Sequence, residues 1–136
     1  MDIQESIRRI LEQEGHVADL FYHVFLEQYP EVRQHFAAVD MRRQAVLLTV
    51  ALQLVVQYYQ HSFPAVEAYL RILGREHNQQ GIARELYPKW REALLATLCR
   101  FHDQEWDESL SRQWNEALQL ATAKMLAEYP SVPSNA

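Results

Sequence analysis

The chain has 136 residues, of which 49% are hydrophobic and 11% aromatic, and a formal net charge of −5. That composition suits one compact domain with a sizeable core, and the lack of a basic stripe argues against a nucleic-acid partner. Three glycines and five prolines leave few breaks, and a single cysteine excludes an internal disulfide and any multi-cysteine metal site.

Taken in chain order, the apolar periodicity predicts six to seven helices and no strand. Asp2 to about Glu14 is amphipathic through Ile3, Ile7, Ile10 and Leu11, and Gly15 closes it. Its polar start does not read as a signal peptide. Val17 to Gln28 carries Leu20, Phe21, Val24 and Phe25 at helical spacing. Tyr29-Pro30 breaks it, and the proline starts a short helix to about Phe36. Asp40 is placed to cap a long helix running to about Gln60. Thr49, Gln53 and Gln57 form its expected outer stripe, with Leu47, Ala51 and Leu54 roughly opposite. Nearly all the rest is apolar, so this helix is either the centre of a bundle or the wall of a cofactor pocket. Its apolar run, Ala45 to Val56, is too short to span a bilayer, and a cytoplasmic protein is expected.

Ser62 and Pro64 open the next helix, with Val66, Tyr69, Leu70 and Leu73 on one face. Counting on by four from Leu73 puts His77 on that face, just before the stop signal Asn78-Gln79-Gln80-Gly81. Such a histidine is either a satisfied core residue or a metal ligand, neutral imidazole being a common ligand for haem iron. Glu85 or Leu86 to about Gln104 follows, with Cys99 as a small core hydrophobe. Asp107 caps a last helix to about Glu128, with Leu110, Trp114, Ala117, Leu118 and Ala121 facing inward. From Tyr129 the chain reads as frayed. The domain is placed at residues 1–129, with 130–136 a disordered tail or the start of a linker. His16, His35, His61 and His102 fall near helix ends and are expected to be solvated. His23 is turned about 100° from its neighbour Tyr22.

Four motifs follow one another: Phe21-Tyr22-x-x-Phe25, Pro30-Glu31-Val32-x-x-x-Phe36, Leu73-Gly74-x-x-His77-x-x-x-Gly81, and Tyr87 seven residues before Leu94-Leu95-Ala96-Thr97-Leu98. Their order and spacing resemble the bacterial single-domain globins and the haem domain of flavohaemoglobins, from about Leu20 to Ala127. The resemblance implies an all-α globin fold around haem b (iron protoporphyrin IX). In it, His77 matches the proximal histidine that bonds the iron, and Phe36 the phenylalanine that wedges against the porphyrin. Tyr22 matches the distal tyrosine that donates to a bound ligand, and Tyr87 the tyrosine on the histidine's side. Leu47, Leu73 and Ile82 are expected to line the slot.

The family's glutamine or histidine on the long helix corresponds here to Arg42, Arg43 or Gln44. The inner stripe through Leu47 puts Arg43 slightly ahead, while Gln44 pairs with Leu48 and suits the family's chemistry better. The carboxylate that usually partners the proximal histidine has no acid at its counted place, though Glu128 is close. The Leu73 carbonyl is then the default acceptor for His77.

The function implied is reversible binding of dioxygen and other diatomic gases, nitric oxide and carbon monoxide among them. Oxidation of nitric oxide through an external reductase is an added activity. The alternative is a gas-sensing or haem-free globin-fold interaction module. No membrane span is expected, and the protein is a monomer or a homodimer.

Overall fold

A computed structural model describes residues 1–13 and 15–130, and of the expected tail at 130–136 all but Pro130 lies outside them. Six α-helices are formed: α1 (Ile3–Leu11), α2 (His16–Gln28), α3 (Met41–His61), α4 (Pro64–Gln79), α5 (Leu86–His102) and α6 (Glu108–Leu126). Short 3₁₀ turns occupy Pro30–His35 and Asp103–Glu105.

The helix starts follow from their caps. Oδ1 of Asp2 accepts from the Glu5 N–H at 2.9 Å, Oδ1 of Asp40 from those of Arg42 and Arg43, and Oδ1 of Asp107 from that of Leu110 at 2.8 Å. Gly15, at φ +69°, turns the chain from α1 into α2.

Packing is organised around α6, which contacts α1, α3, α4 and α5, while α2 lies against α5 and α3. Trp114, Leu110 and Leu118 of α6 are fully buried, as are Phe21 of α2 and Leu94 and Leu98 of α5. The α4–α6 contact is unusually close. A Cβ at Gly74 would overlap the backbone of Met125, so only glycine lets α4 lie at this height. No helix among the described residues is long and apolar enough to cross a membrane.

The outward and inward faces of two helices, α3 and α5, differ from their expectation. α3 turns Ala45, Leu48, Leu52, Val55 and Val56 inward, leaving Leu47 and Val50 half exposed and enclosing the Gln53 side-chain oxygen. That oxygen has no hydrogen-bond partner among the described residues, and nothing else in the structure accounts for it. Cys99 is exposed rather than in the core, because α5 buries the rows Ala93-Thr97 and Leu94-Leu98 and Cys99 lies one residue beyond them.

His102 is buried, not solvated. The indole N–H of Trp114 donates to Ser6 Oγ at 2.9 Å, and Ser6 Oγ meets His102 Nε2 at 2.6 Å. Trp106 lies parallel to the His102 imidazole with ring centroids 6.2 Å apart. This buried chain ties α1 to both α5 and α6.

Candidate functional site

His77 stands on the last turn of α4, and the way that helix ends shapes its surroundings. Gly81 adopts φ +81°. Its N–H then donates to the Asn78 carbonyl at 3.1 Å, and the Ile82 N–H donates to the carbonyl of His77 itself at 3.0 Å. The capping glycine therefore folds Ile82 back onto the histidine's own backbone.

The His77 imidazole is partly buried, which lowers its pKa below the usual histidine value. Its Nδ1 meets the Tyr87 hydroxyl at 3.2 Å. The expected acceptor, the Leu73 carbonyl, is not the partner, because the first turn of α5 brings Tyr87 within reach. Tyr87 is 4% exposed. Burial, and then the neighbouring Tyr129 hydroxyl, push its phenol pKa up. The two tyrosine rings meet edge to face at 5.6 Å, and the Tyr129 hydroxyl donates to the Ile82 carbonyl at 2.7 Å. Arg84 covers the outer side of the Tyr129 ring, its guanidinium 5.8 Å from the centroid.

Tyr129 is thus a participant in this cluster and not a frayed residue. The sequence reading ended the helix at about Glu128 and took Tyr129 as the start of the frayed stretch. The signal available was an aromatic residue close to where an acidic partner was sought. Glu128, the nearest acid, pairs instead with Arg75 at 3.4 Å and Arg71 at 3.9 Å.

A second cluster joins α2 and α3. Tyr22 is 7% exposed, and its hydroxyl accepts from the Gln44 amide at 2.9 Å. The Phe36 ring meets the Tyr22 ring edge to face at 5.4 Å. Burial pushes the Tyr22 phenol's pKa up to about 12, against a smaller opposite effect of Gln44. The hydroxyl therefore keeps its proton, and because it accepts from Gln44 that proton is free to be donated elsewhere. Arg43 is exposed and does not join this pair. The reason is the inward row of α3: Gln44 is one turn before buried Leu48, whereas Arg43 is one turn before exposed Leu47. His23 is exposed and pairs with Glu27 at 3.2 Å. Trp90 packs edge to face on Phe21 at 6.1 Å.

An iron porphyrin asks for one axial imidazole and an apolar slot. His77 offers a nitrogen, Nε2, that no hydrogen bond among the described residues occupies. On α3 the stripe Leu47, Ala51 and Leu54, and on α4 the residues Tyr69, Ile72 and Leu73, keep apolar surface only partly covered. Leu47 is 49% and Ile72 50% exposed. Surface of this kind is what a flat apolar group would cover, and the residues present fit one.

A family model described as Globin matches residues 18–125, a stretch that holds Tyr22, Phe36, Gln44, His77 and Tyr87 but stops short of Tyr129. No curated protein matches the chain.

Proposed function

The chain belongs to the globin family, all-α proteins that bind haem and oxygen, and we propose that it is a cytoplasmic, haem b-containing member similar to the bacterial single-domain globins and the haem domain of flavohaemoglobins. When bound, the haem supplies an iron that takes up dioxygen, nitric oxide or carbon monoxide at its open position.

The observation that carries this reading is the His77–Tyr87 hydrogen bond at 3.2 Å. It engages Nδ1 and leaves Nε2 as the nitrogen for iron. Phe36, Leu47, Leu73 and Ile82 border the slot by their apolar side chains. Tyr22 is the donor to a gas ligand. Its raised pKa supports that role, since a protonated phenol donates and a phenolate cannot. Gln44 orients it by donating to its oxygen. Arg43 has no part in this arrangement. Oxidation of nitric oxide is a further reading, with electrons drawn from a separate reductase.

The test is the absorption spectrum of the purified protein after haem addition, in ferric, reduced and carbon monoxide-bound forms. The expected result is a Soret band that moves sharply on addition of carbon monoxide. Absence of haem uptake overturns the reading.

A further inference from the structure

Charge is unevenly placed along this acidic chain. From Val32 to Val66 it holds three arginines (Arg33, Arg42 and Arg43) and one acid, Asp40. That stretch is formally +2, while the ten basic and seventeen acidic residues elsewhere amount to −7. Arg42 and Arg43 stand exposed on the first turn of α3, a turn with no acidic residue. The positive end of a helix dipole is an unfavourable place for two cations, so the fold gains nothing from them there. Neither guanidinium has an ion pair or a hydrogen bond among the described residues, and the Asp40 carboxylate accepts instead from their backbone N–H groups. Arg8, Arg9, Arg71, Arg75, Lys89 and Lys124, by contrast, each pair with a glutamate.

The same face carries aliphatic surface. Val39 is exposed in the turn before α3, and Val46, one turn on from Arg42, is 56% exposed. Arginine is enriched at protein interfaces, and bare aliphatic side chains beside it give such a patch area to bury. Gln44, next to Arg43, and Phe36 both meet Tyr22, so the patch borders the gas side of the slot.

We propose that this face seats an acidic electron-donor protein, a flavin or iron–sulfur carrier, that hands one electron to ferric iron and is itself oxidised by one electron. This rests on haem occupying the slot, and it adds where the donor docks and which surface it presents. An anionic membrane is the other large surface that arginines attract. A bilayer is wide enough to meet the −7 remainder of the molecule as well. A small protein meets mainly the patch, since charges are screened beyond about 8 Å in physiological salt.

Flavodoxin, an acidic one-electron flavoprotein, is the probe. Added in its oxidised form to the nitrogen-15-labelled, carbon monoxide-bound protein, it is expected to shift chiefly the amide signals from Val39 to Leu47. In stopped flow, reduction of the ferric protein by reduced flavodoxin is expected to slow with added salt. It should slow about tenfold in Arg42→Glu/Arg43→Glu, the scale of lost electrostatic steering. Acids on the first turn favour the helix, so this variant keeps its fold. Arg100→Glu/Arg112→Glu makes the same change of net charge on α5 and α6 and should leave the rate unaltered.

An unchanged rate in Arg42→Glu/Arg43→Glu overturns the inference, and so does equal slowing in both double variants. Shifted amides that leave out Arg42 and Arg43 overturn it as well. So does capture by phosphatidylglycerol vesicles of the wild type but not of Arg42→Glu/Arg43→Glu, or faster haem loss in that variant, which would assign the arginines to the haem carboxylates. If the wild type takes up no haem, the proposed function fails instead, and amide shifts in the haem-free protein still decide whether the acidic probe seats here.

Discussion

The two ends of α5 each hold a histidine network, about 22 Å apart at 1.5 Å per residue. At its start Tyr87 meets His77, and at its end His102 meets Ser6. Both imidazoles have pKa values lowered chiefly by burial. They differ in the nitrogen that is engaged. Trp114 can only donate, so Ser6 Oγ accepts from it, and the same oxygen meets Nε2 of His102 at 2.6 Å. That nitrogen is spent, and Trp106 stacks on the ring. At His77 the contact with Tyr87 engages Nδ1, and Nε2 has no described partner. Burial and a shifted pKa are common to a structural histidine and a ligand candidate; which nitrogen is left over separates them.

The largest test of this contrast is His77→Ala beside Ser6→Ala. His77→Ala is expected to abolish stable haem retention, read as loss of the Soret band after gel filtration. Ser6→Ala should leave haem binding stoichiometric but destabilise the fold by about 2–4 kcal/mol in denaturant titration, because the Trp114 N–H and His102 Nε2 both lose their partner. Equal effects on haem and fold in both variants would erase the distinction.

Acid sharpens the comparison. A histidine whose folded pKa is lowered takes up its proton in the unfolded chain first, near the ordinary value of about 6.5. Stability is therefore full above that pH and falls as pH drops below it, until the folded pKa is reached. His102→Gln should flatten this decline in the haem-free protein, as measured by denaturant midpoints between pH 7 and 5. An unchanged slope would mean that the titration of His102 contributes nothing.

Smaller effects probe the gas side. Tyr22→Phe is expected to leave haem bound and to speed oxygen dissociation about tenfold, the worth of one hydrogen bond of ~1.4 kcal/mol. Gln44→Ala should act in the same direction and Arg43→Ala should not, in stopped-flow measurements. The smallest expected change is Gly81→Ala. It meets no neighbour but must hold φ +81°, a cost of about 1 kcal/mol, with Ile82 loosened from His77.

Much of the frame was legible in advance. Spacing and caps located every helix, and the order of the motifs pointed to His77, Tyr22, Phe36 and Tyr87. Gln44 and Arg43 were confused because they are adjacent on a helix apolar nearly all round, where periodicity barely distinguishes inward from outward. Leu47, expected on the inner face with Arg43, is half exposed for the same reason. His102 escaped because its partner Ser6 is 96 residues away along the chain, and Ser6 is in turn 108 residues from Trp114. Local pattern carries no trace of such pairings. Tyr129 was hidden similarly, its contact with Ile82 spanning 47 residues.

The close seat of Gly74 on Met125 has a consequence for the timing of synthesis. The histidine-bearing helix is made well before the segment it must lie against. Translation at roughly 5–20 residues per second leaves a gap of several seconds between the two. Through that interval His77 exists without the surface that fixes its height. Cofactor capture accordingly belongs to the finished chain, and haem offered after translation should be taken up as fully as haem present throughout.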